Sequence, residues 1–166
     1  MSKYELPVDN WMSDTMRVKT IWLDDNTPLC VIRLMKPDVN EEEWAVAFDH
    51  MRRFLKWIKK SNTKYHFLFD LHEADAIPVD RMYQLQKYLE KKAALLNTHL
   101  HSSVIITQSA MLEMILNQAF EYFPPKRPLK VIVQAYAKHA PRDLATDIPL
   151  EVYNIATTHL LQNKVA

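Results

Sequence analysis

The densest run of ionisable side chains is Asp70-Leu71-His72-Glu73-Ala74-Asp75-Ala76-Ile77-Pro78-Val79-Asp80-Arg81, with four carboxylates, an imidazole and a guanidinium in twelve residues. Paired carboxylates divide acid and base roles where their surroundings separate their pKa values. Asp70 and His72, two apart at a predicted strand end, would face the same side. The plainer reading is that Asp70 caps or salt-bridges at the sheet edge and the rest is a solvated loop. Asp70, His72, Glu73 and Asp75 could hold a divalent ion adventitiously. No His-Glu-x-x-His and no Cys/His framework is present, however, and His99-Leu100-His101 is the only tight histidine pair. No metal, cofactor or catalytic residue is therefore assigned. Cys30, between Leu29 and Val31, reads as a core thiol, because a nucleophilic cysteine needs a nearby cation or helix N-terminus.

Composition narrows the chemistry further. The chain has 166 residues, a formal charge of +1, one cysteine and no glycine. Ordinary usage of about 7% would give roughly 12 glycines. Phosphate cradles and nucleophile elbows need backbone at positive φ or free of Cβ, so G-x-G-x-x-G, the P-loop and G-x-S-x-G are all absent. A single cysteine excludes an intrachain disulfide and a Cys-x-x-Cys site. No apolar run reaches the ~18–20 residues of a membrane span, and the N-terminal stretch MSKYELPVDNWMSDTM lacks an apolar signal core. The expectation is a cytoplasmic protein without a membrane span. The balanced charge does not favour nucleic acid. Basic residues do gather in zones: Arg52, Arg53, Lys56, Lys59, Lys60 and Lys64, then Lys87, Lys91 and Lys92. These would attract anions if their faces were adjacent.

The elements that must position these groups follow from periodicity. Residues 1–17 read as a tail and 18–166 as a single domain. Val18–Leu23 and Leu29–Met35 are apolar and β-branched around Asp24-Asp25-Asn26-Thr27-Pro28, which predicts a hairpin. Asn40 and Glu43 resemble a capping box ahead of a 3.6-residue stripe from Trp44 to Ile58. Tyr65–Leu71, Val104–Thr107 and Leu129–Val133 read as strands. Between and after them come a helix bearing Met82, Leu85, Leu89, Ala93 and Leu96, one capped by Ser109, and one capped by Asp147. The order β-β-α-β-α-β-α-β-α predicts an α/β domain with a small, mixed, mostly parallel sheet, an opening hairpin and about four amphipathic helices. Trp57 and Tyr88 fall off the main apolar stripes, so a homodimer or partner interface is expected to use them, or lysine stems to cover them. Met111 and Met114 could line an adaptable pocket.

This order and several local phrases resemble the STAS domain, the anti-sigma-factor-antagonist fold of the SpoIIAA type. Phe67-Leu68-Phe69-Asp70-Leu71 is similar to the family's central strand ending in Asp-Leu. Pro78-Val79-Asp80-Arg81, followed by Met82 and Leu85, occupies the place where the family opens its next helix with Asp-Ser-Ser/Thr-Gly. Ser103–Ser109 resembles the following strand with its polar exit, and Met111–Phe123 the short helix after it; the likeness spans Val18 to Val133. The family glycines are missing, and Asp80 stands where the phosphorylated Ser or Thr would be.

The resemblance implies a non-enzymatic regulatory or protein-interaction module. Its expected contact surface is Asp75, Ile77, Pro78, Val79, Asp80 and Arg81, with Asp80 as a fixed charge imitating a phosphorylated state. The helix dipole alone, worth roughly 0.3–1 kcal/mol, also accounts for a carboxylate there. A protein partner or a second copy of the chain is the expected binder. Related lipid carriers of this fold imply the alternative, carriage of an apolar small molecule. An enzyme using the Asp70–Asp80 segment is the third reading.

Overall fold

Strands form where the apolar alternation places them. β1 (Trp11–Met12), β2 (Met16–Trp22) and β3 (Pro28–Leu34) make an antiparallel meander. The computed structural model describes residues 11–36, 38–74, 79–122, 124–135 and 139–164. Sheet pairing thus starts at Trp11, earlier than the predicted tail boundary, and Met16 is already core. The β2–β3 turn closes with Leu23 N–H donating to Thr27 O (2.8 Å) and Asn26 N–H donating to the Asp24 carboxylate (2.9 Å). This side-chain-closed turn needs no positive φ.

α1 (Glu41–Ser61) starts at Asn40, whose side chain accepts the Glu43 N–H (2.8 Å). The Glu43 carboxylate faces the Asn40 backbone N–H in return, the reciprocal half of the capping box. It also accepts from the Ser13 and Thr15 hydroxyls, which pins the helix start to the β1–β2 connection. α1 ends at Asn62, in the left-handed region at φ 54°.

β4 (Tyr65–Asp70), β5 (Leu100–Thr107) and β6 (Leu129–Val133) then add in parallel to β3. Every residue of β4 and β5 is buried, as expected of central parallel strands covered on both faces. The predicted second helix is two: α2 (Val79–Lys91) and α3 (Ala93–His99), broken at Lys92. α4 (Ala110–Tyr122) opens with Ser109 Oγ accepting Leu112 N–H (3.1 Å). α5 (Leu150–Gln162) ends the described fold.

The strands lie in sequence order, β1-β2-β3-β4-β5-β6. Right-handed crossovers between neighbouring parallel strands all return on one side, so α1, α2, α3 and α4 pack one face. Trp44, Phe54, Ile58, Leu96, Leu112 and Leu116 meet Cys30, Ile32, Tyr65 and Phe67 there. α5 covers the other face with Val152, Ala156 and Leu160 on Leu29, Val31, Leu68, Val104 and Ile106.

The chain reaches that second face through residues 139–149. Asp143 N–H donates to Ile148 O and Leu150 N–H to Pro141 O, both at 2.8 Å. Asp147 does not cap α5 as its position suggested. It adopts φ 60° and the N-cap is Pro149. Trp57 and Tyr88 are not spare surface either. Trp57 is buried edge-on against Trp22 (centroids 6.4 Å apart), and Tyr88 is half-buried against Phe48 (5.1 Å). The buried arc of α1 is wider than a single stripe.

Asn62 offers a direct test of the left-handed helix end. Asn62→Ala and Asn62→Gly lose the same side-chain hydrogen bond to His99, so their difference isolates the backbone. The alanine variant should be less stable than the glycine variant by about 1 kcal/mol in urea unfolding. Equal stabilities would mean that α1 ends in another conformation in solution.

Candidate functional site

The last rung of the β3–β4 ladder pairs Arg33 with Asp70. By alternation both point to the α5 face, in line with Val31 and Leu68. An apolar strand face thus ends in a cation and an anion at the carboxyl edge of the sheet. The Arg33 side chain is only 4% exposed and that of Asp70 0%. Arg33 Nε lies 3.2 Å from Asp70 Oδ2, Nη2 donates to Glu73 Oε1 (2.6 Å) and Nη1 to Asp147 Oδ2 (3.1 Å). One guanidinium gathers three carboxylates, from the end of β4, the loop after it and the segment leading to α5.

His72 completes the cluster. Its Nδ1 is hydrogen-bonded to Asp70 Oδ1, which also accepts the His72 backbone N–H (3.1 Å). Its Nε2 lies 3.3 Å from Glu73 Oε1. Gln108 Nε2 donates to the His72 carbonyl (2.7 Å), fastening the loop to the exit of β5. Arg142 Nη1 approaches Glu73 Oε1 to 3.5 Å and donates to the Asp147 carbonyl (2.8 Å).

The predicted meeting of Asp70 and His72 is therefore present, with Glu73 beside them. The sequence reading missed Arg33 and Arg142 and gave Asp147 a different role. A lone arginine in the otherwise apolar run Leu29–Leu34 was the available signal, since a central strand does not bury a cation without anions to meet it. A carboxylate–imidazole–carboxylate chain can hold or pass a proton. Here its groups are turned on one another and on Arg33, with the His72 ring 0% exposed. Sequential strand order also leaves no reversal point at which α/β sheets open a ligand crevice. The arrangement ties three chain segments together.

Other predicted groups lie elsewhere. Asp75, Ile77 and Pro78 fall outside the described residues, and Val79 is the first residue of α2. Asp80 is exposed in the first turn of α2. Arg81 turns inward, donating to Val39 O (3.3 Å) and Gln84 Oε1 (3.1 Å), with its guanidinium 5.9 Å from the Trp44 ring centroid. It anchors the start of α2 on α1. Cys30 is wholly buried, and burial pushes its thiol up to about 12. His99 and His101 part company: His99 Nε2 meets Asn62 Oδ1 (2.9 Å), while His101 lies against His66. Among the described residues no three His, Cys, Asp or Glu side chains are grouped to hold a metal ion.

Two basic zones do meet. Lys59 of α1, Lys91 of α2 and Lys92 line one surface depression of about 490 Å³ floored by Leu95. A second, of about 370 Å³, lies between α5 and Lys130. Neither is lined by Arg33, Asp70, His72 or Glu73.

The outer face of α4 is a feature that sequence reasoning passed over. Met111 (68% exposed), Met114 (56%), Ile115 (40%) and Tyr122 (81%) are large, apolar and exposed. Their spacing of 3, 4 and 11 from Met111 puts them on one helical stripe. Leu112 and Leu116 hold the opposite side of the helix in the core. Met111 and Met114 are thus on the exposed side of the helix and not in the core.

No family model, curated protein or solved structure matches the chain. No described helix is long and apolar enough to cross a membrane.

Removing Arg33 leaves Asp70 buried without its cation, so Arg33→Leu should cost about 3–5 kcal/mol. Asp147→Asn removes the charge of a half-exposed partner but keeps a residue that tolerates the positive φ, and should cost under about 1 kcal/mol. Urea unfolding at neutral pH reads both. Equal, small losses would mean that the cluster does not form in solution.

Proposed function

We propose that the chain is a non-enzymatic protein-interaction module of the STAS/SpoIIAA kind, working in the cytoplasm. The observation that carries this reading is the exposed apolar stripe of α4. Met111, Met114 and Ile115 adjoin one another, with Tyr122 further along the same stripe beyond exposed Gln118, on a helix anchored by Leu112 and Leu116. Contiguous exposed apolar surface of this kind marks protein contact sites. The ionisable cluster around Arg33, by contrast, is buried and built from ion pairs among its own groups.

The element order behind the family likeness supports the reading. A hairpin leads in, Phe69-Asp70-Leu71 closes β4, and α2 begins at Val79 with Asp80 exposed in its first turn. Asp80 then supplies a fixed negative charge where the family carries its phosphoacceptor.

Charge indicates the partner's chemistry. α4 has no basic residue, and its charged groups are Glu113 and Glu121. They favour a protein surface that is apolar at its centre and basic at its rim.

A photo-crosslinking residue at Met114 tests this in cells. One adduct of defined mass should form there and not at a control on exposed Lys130. Its yield should fall several-fold in Glu113→Lys with Glu121→Lys, and also in Asp80→Ala. An adduct of twice the chain's own mass would make α4 a homodimer face instead. No adduct above the control, or yields indifferent to these charges, would overturn the reading.

A further inference from the structure

β4 and β5 slip in register at their amino ends. Tyr65 stands opposite Leu100, but His66 stands opposite Ser102. His101 is therefore the extra residue of a bulge, an irregularity that re-aims a side chain. Its ring lies 4.9 Å from the His66 ring, tilted by 32°. The bulge is supported from outside: the Leu100 and His101 carbonyls both accept from Arg127 (3.0 and 3.4 Å). Both imidazoles are buried. His66 Nδ1 meets Ser102 Oγ (3.0 Å), while its Nε2 has no hydrogen-bond partner among the described residues.

By alternation His66 shares the α5 face with Leu68. The charged groups around the pair come from four connections. They are Lys64 before β4, Arg127 before β6, Asp24 in the β2–β3 turn and Lys164 after α5. The Lys164 ammonium bonds the Asp24 carboxylate, so the end of α5 is tied over this corner. Among the described residues, three cations and one anion thus face two neutral rings. A proton arriving there meets burial, a second imidazole and excess positive charge.

We propose that the His66–His101 pair is an acid-sensitive latch, whose protonation releases α5 from the sheet and uncovers the apolar face beneath it. Among the described residues α5 is the one helix on that face. Its release exposes Leu29, Val31, Val104 and Ile106 while the opposite core stays packed.

The direction follows from linkage. Burial first, then His101 and Lys164, holds His66 down to about 3. Burial first, then Lys164 and Lys64, holds His101 down to about 4. With α5 detached, both rings return toward the usual value near 6.5. Below about 6.5 the detached form binds protons that the docked form refuses, so detachment grows easier as pH falls. Above about 6.5 docking is complete. Each ring contributes up to about tenfold per pH unit.

Amide hydrogen exchange on the full chain by NMR, corrected for intrinsic rate, reads the opening of each element. From about pH 7.5 to about pH 5.5, the opening constant of Val152–Leu160 should rise at least about tenfold more than that of Phe67–Phe69. The rise should vanish in His66→Leu with His101→Leu. Ring titration of the unaltered protein is the second readout and does not depend on the variant folding. Both rings should stay neutral for as long as α5 is protected. Rings titrating near 6.5 under a protected α5 would overturn the latch, as would α5 amides that open only together with β4 at both pH values.

Discussion

Burying the Arg33 guanidinium is the constraint on which the rest of the structure depends. A cation in a central strand is costly to strip of water, and partial compensation does not suffice. Its three carboxylates come from Asp70, Glu73 and Asp147, which lie on different segments. Only when β4 is in register, the loop after it is folded back and the 139–149 segment crosses the sheet edge are all three in place. The ion cluster therefore specifies more than it stabilises. It fixes the β3–β4 ladder at its last rung, and it fixes the point at which the chain passes to the second face. Asp147, the most exposed of the three carboxylates, marks where the chain crosses to α5.

The absence of glycine gains a local meaning from the two described residues at positive φ. Asn62 ends α1 in the left-handed region, and its Oδ1 accepts from His99 Nε2 on α3. Asp147 turns the chain into α5, and its carboxylate accepts from Arg33 Nη1. Glycine would adopt either conformation at less cost, but it would leave both hydrogen bonds unmade. At these two turns the chain uses short polar side chains that bend the backbone and also fasten the bend to a neighbouring element. The β2–β3 turn applies the same economy through Asp24, whose carboxylate accepts one backbone N–H and also meets Lys164.

Much of the architecture was legible in the sequence, and the parts that were not share a cause. Period-3.6 stripes located α1, α4 and α5, and short apolar, β-branched runs located β2 to β6, of which β3 to β5 are buried on both faces. The patterns did not separate α2 from α3. Met82 to Leu96 keeps a continuous apolar stripe through the break at Lys92, so periodicity carries no mark of it. The meeting of Asp70 and His72 could be read from their spacing. Arg33 and Arg142 could not be assigned to them, since the pairing arises from strand register and from a segment more than a hundred residues from Arg33. Asp147 looked like a helix cap because Asp before an apolar helix is one in isolation; a buried arginine outbid the helix terminus. The bulge at His101 was hidden for the same reason, because a register slip belongs to two strands and to neither sequence alone.

The two faces of the sheet are held in unlike ways, and this difference orders the molecule's motions. The α1–α4 face is a large aromatic core, with Phe54, Tyr65 and Phe67 in mutual contact and helices supplied by successive crossovers. The α5 face is smaller and depends on a single helix. Along it a short apolar strip lies between two polar ends, the Arg33 cluster at the carboxyl edge and the His66–His101 pair at the amino edge. Local openings follow the smallest and least redundant packing. Losing one crossover helix would leave its neighbours in place on the first face. Among the described residues, losing α5 leaves only Ile148 of the connecting segment over the second face. The proposed His66–His101 latch sits at its amino end, and at both ends polar side chains replace the apolar contacts that hold the middle.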